Sequence, residues 1–108
     1  LLTPWEKIEA RLLAAAQADF VICLYNPSSK KRKDYLARAC RLMLQYKSED
    51  TVCGIVSMIG REGESSRMLS LKELMDTPVD MFTTVWIGNS QTREIGGKMV
   101  TPRGYRHE

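Results

Sequence analysis

The spacing of apolar residues predicts a helix at the start of the chain. Trp5, Ile8, Leu12 and Ala15 recur every three or four residues, so a helix that ends near Gln17 would present them on one face. A second helix is predicted after residue 33, because the apolar residues between 35 and 46 have the same period. This second helix should end near residue 47, where the polar residues 48–50 begin.

Three predominantly apolar runs predict buried strands at residues 20–25, 52–59 and 82–87. Continuous apolar runs are typical of strands that are covered on both faces, so we expect these to be the central strands of a sheet. Residues 67–70 suggest a short strand, residues 71–75 a short helix with Ser70 as its N-cap, and residues 98–101 a closing strand after a Gly96–Gly97 turn. The order of elements predicts an α/β fold, a single layered domain with a mixed, roughly five-stranded sheet flanked by helices.

The composition is that of one globular domain. The chain has 108 residues, of which 44% are hydrophobic and 27% are charged. Its net charge of +3 is lower than the dense positive charge that a nucleic-acid-binding domain usually carries. The apolar runs are too short for a transmembrane helix, so we expect no membrane span.

The cysteines and the histidine argue against several kinds of site. Cys23, Cys40 and Cys53 are odd in number and include no C-x-x-C pair, so neither a disulfide framework nor a zinc site is predicted. Free cysteines within apolar runs indicate a reduced compartment, and we expect a cytoplasmic protein. The single histidine is His107, the penultimate residue, so no His-based triad or multi-histidine metal site is expected.

Polar segments follow the three predicted strands at residues 24–29, 60–64 and 88–93. In α/β folds, ligands collect outside the carboxyl ends of strands, so each segment is a candidate binding site. Each segment also has a purely structural interpretation. Residues 24–29 could be a strand-to-helix turn, residues 60–64 a solvated loop tip, and residues 88–93 a polar connection. Two glycines free the backbone of the second segment for a close approach to a ligand, but it matches neither a Walker loop nor G-x-G-x-x-G.

A basic segment at residues 30–33 is a fourth candidate. Charge runs usually form a solvated surface, and no aromatic residue stands among these four for base stacking. The sequence contains no Ser/His/Asp set, no metal-ligand cluster and no paired carboxylates at a distinctive spacing. Any catalysis would therefore depend on binding and positioning, or on groups from another domain.

Recognisable motifs stand after the predicted strands. They are Tyr-Asn-Pro-Ser-Ser at 25–29, Gly-Arg-Glu-Gly at 60–63 and Gly-Asn-Ser-Gln-Thr-Arg at 88–93, with a matching tail at 95–105. Together they resemble the tetrapyrrole methylase family, and most of all its branch that methylates ring carbon 17 of precorrin-3B or cobalt-factor III, with ring contraction, in cobalamin biosynthesis. The sequence departs from the family pattern at Met58 and Ile59, where Asn-Ala is expected, and at Glu64, where Gln is expected.

The resemblance implies a division into domains. Enzymes of this family have two α/β domains and bind S-adenosylmethionine in the cleft between them. By this resemblance, residues 1–108 are expected to be the C-terminal domain, and the N-terminal domain is expected to be missing from this chain, because the Gly-Pro-Gly loop that it carries does not occur here. The whole protein is expected to be a methyltransferase, whereas this chain alone is expected to be inactive, since it would supply one wall of the cleft.

The resemblance also implies the site residues. The expected cofactor-binding residues are Tyr25, Asn26, Gly60, Arg61, Glu62, Thr83 and Thr84. Arg61 and Arg93 are candidates for binding the carboxylates of the substrate. No residue is assigned a catalytic role and no metal is expected, because the cofactor carries the reactivity and the protein supplies orientation.

The expected partners are an anionic tetrapyrrole, the N-terminal domain of the same chain and a second copy in a homodimer, with no nucleic acid and no membrane. Two other interpretations of the residues stay open. One is a stand-alone α/β module that binds a ligand without catalysis. The other is a small nucleic-acid-binding domain that uses Lys30–Lys33.

Overall fold

The computed structural model describes residues 4–25, 34–58, 64–80 and 82–102. These residues form three helices and six strands. The helices are α1 (Trp5–Gln17), α2 (Tyr35–Met43) and α3 (Leu71–Met75). The strands are β1 (Ile22–Tyr25), β2 (Val52–Met58), β3 (Glu64–Ser70), β4 (Thr83–Ile87), β5 (Arg93–Ile95) and β6 (Lys98–Val100).

Four strands form the central sheet in the order β1-β4-β2-β3. The predicted α/β class is confirmed, but within the described residues every strand pair of this sheet is antiparallel, and its strands number four rather than about five. β1 and β2 run in the same direction on either side of α2, which is why the sequence resembles a parallel unit. β4 lies between them and pairs with both, because Ile87 is opposite Ile22 on one side and Cys53 on the other.

The three helices pack on one face of this sheet. Their buried side chains and those of the strands form a single cluster. The sheet contributes Ile22, Leu24, Cys53, Ile55, Leu69, Val85 and Ile87. The helices contribute Leu12, Ala16, Leu36, Ala39, Cys40, Met43, Leu71 and Leu74. Burial of these apolar surfaces is the main force that holds the layers together.

The opposite face of the sheet, which we call the open face, has no helix of the described residues on it. Trp86 and Val21 are each 40% exposed there, and Tyr25 is 73% exposed. The prediction that the apolar runs are covered on both faces is therefore wrong for β1 and β4, and β1 lies at an edge of the described sheet. A run of apolar residues has the same sequence signature whether its second face is covered by its own chain or left open.

The strands β5 and β6 form a separate hairpin, residues 93–100, which we call the arm. The predicted Gly96–Gly97 turn is confirmed, and both glycines have positive φ angles, 58° and 79°, as a tight hairpin turn requires. The arm folds over the open face, because the sulfur of Met99 lies 3.4 Å from where a Cβ on Gly54 would stand. β6 was predicted to close the main sheet, but it pairs with β5 instead.

Local signals locate the short helix α3 correctly. The Ser70 hydroxyl accepts a hydrogen bond from the Glu73 amide at 3.1 Å, and the Glu73 carboxylate accepts one from the Ser70 amide at 2.8 Å. This capping box confirms Ser70 as the N-cap. α2 is less accurately predicted: it ends at Met43 rather than near residue 47, because the chain turns at residues 44–46 and directs Lys47 inward.

Gly88 stands at a close approach of two backbones. Its amide donates a hydrogen bond to the Val52 carbonyl at 2.9 Å. A Cβ at this position would lie 2.6 Å from the Val52 oxygen and 2.6 Å from the side chain of Thr92. Since neither neighbour is a flexible chain end, only glycine fits here.

We predict that Gly88→Ala destabilises the protein by about 2–3 kcal/mol, the cost of overpacking a rigid site. Gly54→Ala is the matched control, because its new methyl group would lie 3.4 Å from the flexible end of Met99 and 3.9 Å from the Arg67 carbonyl oxygen. Both are ordinary contacts, so this variant should cost less than about 1 kcal/mol. Urea denaturation measures both free energies of unfolding. Equal midpoints for the two variants would contradict the close approach.

Candidate functional site

At one end of the central sheet, which we call the strand-end edge, the last residues of β1 and β2 lie beside the first residues of β4. Because β1 and β2 both run antiparallel to β4, their carboxyl ends lie beside its amino end. Tyr25 is the register partner of Thr84, and Ser57 is the partner of Thr83. Three of the predicted cofactor residues are thus neighbours, and we call these four residues the strand-end site.

The remaining predicted cofactor residues follow the same two strands. Asn26 comes directly after Tyr25, and Gly60, Arg61 and Glu62 come shortly after the end of β2. All four lie outside the described residues, so their roles stay predictions.

The Thr83 side chain is committed to the protein itself. It is 2% exposed, and its hydroxyl donates to a carboxylate oxygen of Asp80 at 2.9 Å. It also lies 3.3 Å from the Ser57 hydroxyl. The same Asp80 oxygen accepts a hydrogen bond from the Phe82 amide at 2.9 Å. Thr83 therefore fixes the start of β4, and a ligand at this edge would meet its backbone rather than its hydroxyl.

Thr84 and Tyr25 lie on the other side of the sheet, on the open face. Side chains alternate between faces along a strand, so Thr84 points away from Thr83. The Tyr25 phenol is exposed, and its hydrogen bond with the Cys23 thiol raises the pKa of Tyr25. This phenol is therefore neutral at physiological pH and can both donate and accept hydrogen bonds.

A polar cavity of about 440 Å³ borders the strand-end site on the side of the helices. Its polar lining includes Ser57, Ser65, Arg67, Asp80 and Thr83. The volume is within the range of small-molecule sites. Asp80 and Ser57 were missed by the sequence analysis, although an aspartate three residues before a threonine at the start of a strand is a typical turn signal.

The Gly88–Arg93 segment, at the opposite end of β4, is held by its own side chains. The Asn89 side-chain oxygen accepts from the Gln91 amide at 2.8 Å, and the Thr92 hydroxyl accepts from the Asn89 amide at 2.9 Å. Thr92 is 2% exposed, and its hydroxyl lies 2.6 Å from that of Thr101. These hydrogen bonds explain the polar residues of the segment as parts of a structural connection between β4 and β5.

Asp19, which lies in the segment between α1 and β1, forms hydrogen bonds with this loop. Its carboxylate accepts hydrogen bonds from the Ser90 hydroxyl at 2.5 Å and from the Ser90 amide at 2.9 Å. These two bonds lower the pKa of Asp19 below its ordinary value of 3.8. Asp19 itself has a φ of 63°, a left-handed conformation that aspartate and asparagine tolerate better than most residues.

Arg93, a predicted substrate residue, is not part of the strand-end site. It lies at the base of the arm, at the opposite end of β4 from Thr83 and Thr84. One nitrogen of its guanidinium donates to the Ser90 carbonyl at 3.0 Å and to the Thr92 carbonyl at 2.9 Å. The structure thus places Arg93 apart from the predicted cofactor residues.

The two buried cysteines, Cys40 and Cys53, are not activated nucleophiles. Burial raises the pKa of Cys40 to about 12 and that of Cys53 to about 12, so both stay thiols. In the described ranges no group of three or more histidine, cysteine or acidic side chains could hold a metal ion. None of the described helices combines the length and the apolar character needed to cross a membrane.

The chain is similar along almost its whole length to known methyltransferases. It is 48% identical over 105 residues, 97% of this chain, to the probable cobalt-factor III C(17)-methyltransferase of Salmonella typhimurium. It is 46% identical over 107 residues, 99% of this chain, to the cobalt-factor III methyltransferase of Priestia megaterium. The crystal structure of the methyltransferase CobJ matches 93% of this chain with a TM-score of 0.80 and 28% identity. No family model matches the chain.

The chain is a homologue of part of these methyltransferases. This confirms the relationship that the motifs at 25–29, 60–63 and 88–93 predicted. The chain spans 44% of the Salmonella relative, 20% of the Priestia relative and 42% of the CobJ chain. The match to CobJ also supports the α/β fold described above.

We predict that the hydrogen bonds between Asp19 and Ser90 make the free energy of unfolding decrease as the pH falls into the acid range. Since the pKa of Asp19 is lower in the folded state than its ordinary 3.8, its contribution is present above about pH 4 and is lost as the pH falls through the folded value. Asp19→Asn should therefore cost about 0.5–1 kcal/mol at pH 7, a small value because the site is exposed to solvent.

The same variant should lose less stability than the wild type between pH 5 and pH 2, as measured by urea denaturation at each pH. Asp76→Asn is the control, since Asp76 is an exposed aspartate after α3 and away from this loop. An acid profile of Asp19→Asn that coincides with the wild-type profile would contradict the prediction.

Proposed function

We propose that the chain is the C-terminal domain of an S-adenosylmethionine-dependent methyltransferase that acts on cobalt-factor III or precorrin-3B in cobalamin biosynthesis. The observation that carries this proposal is the juxtaposition of Tyr25, Thr83 and Thr84 at one edge of the sheet. These residues were assigned to the cofactor from sequence motifs alone, and they come from strands about 60 residues apart in a chain whose relatives are named methyltransferases.

The residues at this edge fit the chemistry of the cofactor. An adenosine presents hydroxyls and ring nitrogens, and the strand-end site offers the neutral phenol of Tyr25 and the hydroxyl of Thr84 on the open face. The backbone at the start of β4 is held rigid by Asp80 and Thr83, so its polar groups are preorganised. The cofactor supplies the reactive methyl group, and this chain supplies part of the surface that orients it.

For the substrate, we propose Arg61 as the contact to the carboxylates. Arg61 follows β2, whose carboxyl end belongs to the strand-end site. Arg93 was assigned the same role, but its guanidinium already donates to two carbonyls of its own loop. We therefore expect Arg93 to contribute less to substrate binding than Arg61.

The relatives favour this function over the two alternatives. Proteins that share 46–48% identity with nearly the whole chain are named methyltransferases. A binding module without catalysis would not explain that likeness. The segment on which the nucleic-acid interpretation depends, residues 30–33, lies outside the described residues.

A graft into a relative tests the proposal. We would replace the 105 matched residues of the Salmonella relative with this chain and measure the transfer of labelled methyl groups from S-adenosylmethionine to cobalt-factor III. We predict that the grafted protein transfers the label, whereas the 108-residue chain alone does not, because half a cleft leaves the cofactor exposed and its methyl group unoriented. A folded but inactive graft, or an active isolated chain, would contradict the proposal.

A substitution on the open face tests the cofactor edge. In the grafted protein, Thr84→Phe should raise the dissociation constant of S-adenosylmethionine about tenfold or more, because the larger side chain would fill the edge beside Tyr25. Ser48→Phe is the matched control: Ser48 is exposed in the turn before β2, at the opposite end of the sheet. Isothermal titration calorimetry gives both constants. Equal affinities for the two variants would exclude Thr84 from the cofactor site.

Two arginine variants test the substrate contact. Arg61→Ala should raise the dissociation constant of cobalt-factor III about tenfold or more, because one charge-assisted hydrogen bond is lost. Arg93→Ala should have a smaller effect. If Arg93→Ala weakens substrate binding more than Arg61→Ala, the assignment of the carboxylate contact is wrong.

A further inference from the structure

The first turn of α2 forms an aromatic cluster with the start of α1, and the cluster includes one cation. The rings of Trp5 and Tyr35 pack edge to face, with their centroids 5.4 Å apart. The guanidinium carbon of Arg38 lies over the Trp5 ring, 4.3 Å from its centroid. We call these three residues the Trp–Arg cluster. None of them belongs to the strand-end site.

The direction of α2 places this cluster toward the strand-end edge. The segment that follows α2 brings the Lys47 ammonium to the carbonyls of Phe20 and Gly88. These carbonyls lie before β1 and after β4, which is the opposite end of the sheet from the strand-end edge. The first turn of α2 is therefore the part of the helix that is nearer to the end of β1.

Two cavities give the same placement. Leu36 and Ala37, in the first turn of α2, line a cavity together with residues 77–79. Residues 77–79 also line the polar cavity that borders the strand-end site, together with Asp80 and Thr83. A short stretch of chain thus separates the first turn of α2 from the strand-end site.

The Arg38 guanidinium is held in position but keeps its hydrogen-bond donors. Arg38 is exposed, and within the described part of the chain its guanidinium contacts the Trp5 ring without forming a hydrogen bond or an ion pair. An aromatic face attracts the cation and restricts its long side chain without using up the N–H groups. Arginine presents these groups in a plane that fits a carboxylate. Arg93, by contrast, already donates to two carbonyls of its own loop.

The sequence around Arg38 is strongly basic. Residues 30–41 contain six basic residues and one acidic residue, Asp34, whereas the whole chain has a net charge of +3. Such a local excess of positive charge attracts an anion with several negative charges more than one with a single carboxylate. The charge of this part of the chain therefore favours a polycarboxylate ligand.

We propose that Arg38 binds a carboxylate of the substrate and that Trp5 is the positioning residue that holds the Arg38 guanidinium. This inference rests on the proposed function, in which the substrate is an anionic tetrapyrrole. A tetrapyrrole is a wide, flat ring whose acid side chains project from its rim. A residue beyond the strand-end site can therefore contact a carboxylate while the reacting carbon stays beside the cofactor. Arg38 and Arg61 then hold the ring at two points, which fixes its orientation.

Substrate affinity of the grafted protein tests the role of Arg38. Arg38→Ala should raise the dissociation constant of cobalt-factor III about tenfold, because one charge-assisted hydrogen bond is lost. Arg38→Lys should restore only part of the affinity, because an ammonium cannot form two parallel bonds to a carboxylate. Arg41→Ala is the matched control, since Arg41 is an exposed arginine about one turn further along the same helix. Equal dissociation constants for Arg38→Ala and Arg41→Ala in absorbance titrations would overturn the proposal.

A double-mutant cycle tests the positioning role of Trp5. Trp5→Leu should raise the same dissociation constant about threefold and Trp5→Phe should raise it less, because a cation is attracted most by tryptophan, less by phenylalanine and not by leucine. In the Arg38→Ala background, Trp5→Leu should change the constant no further. Thermal melting of each variant shows that it is folded. If the loss of affinity persists in the Arg38→Ala background, Trp5 acts independently of Arg38, and its positioning role is overturned.

Two further titrations identify the carboxylate and separate this proposal from the proposed function. S-adenosylmethionine also carries a carboxylate, so an Arg38→Ala graft that loses affinity for the cofactor but not for cobalt-factor III overturns the assignment to the substrate. A graft that binds cobalt-factor III through Arg38 but transfers no methyl group supports this proposal and contradicts the proposed function.

If the graft does not bind cobalt-factor III, the 108-residue chain is titrated with a porphyrin that carries acetate and propionate groups. Weaker binding by Arg38→Ala than by Arg41→Ala supports Arg38 as the contact to a tetrapyrrole carboxylate. Equal affinities, or no binding by the unsubstituted chain, overturn the proposal.

Discussion

A single buried ammonium group joins the segments on which the sheet depends. Lys47 is 7% exposed, and its Nζ donates to the carbonyls of Phe20 and Gly88, each at 2.9 Å. Those carbonyls belong to the residues before β1 and after β4, so one side chain from the segment that follows α2 fixes both strands. Burial lowers the pKa of Lys47, but the two carbonyls satisfy its donors in a setting where an unpaired charge would be costly. The absence of a side chain at Gly88 makes this junction possible.

Elements with strong local signals were predictable from the sequence. The Gly96–Gly97 turn and the Ser70 capping box depend on residues next to each other, and the period of Ile8, Leu12 and Ala15 specifies α1. The position of β4 between β1 and β2 was not predictable in this way. It is decided by pairings between distant residues, such as Cys53 with Ile87, that no local pattern encodes.

The candidate site was predictable only where a family motif marked it. Thr83 and Thr84 have the composition of an ordinary strand, and only the resemblance assigned them to a cofactor. The structure adds that they face opposite sides of the sheet and that Asp80 holds Thr83 in place. For Arg93 the motif did not indicate the role of the side chain. The residues by which the motif is recognised also form the loop, and the Arg93 guanidinium donates its hydrogen bonds to two carbonyls of that loop.

The two faces of the sheet explain why the proposed site lies at its edge. On the helix side the core fills the centre of the sheet, and beside the polar cavity the hydroxyl of Thr83 is already bonded to Asp80. The open face has neutral polar groups at Tyr25 and Thr84, and the arm covers a different part of this face, over β2. A ligand can therefore reach both the backbone of β4 and these hydroxyls only at the end of the strands. A surface of this kind contacts a ligand from one direction, so orientation of a reacting methyl group requires a second surface opposite it.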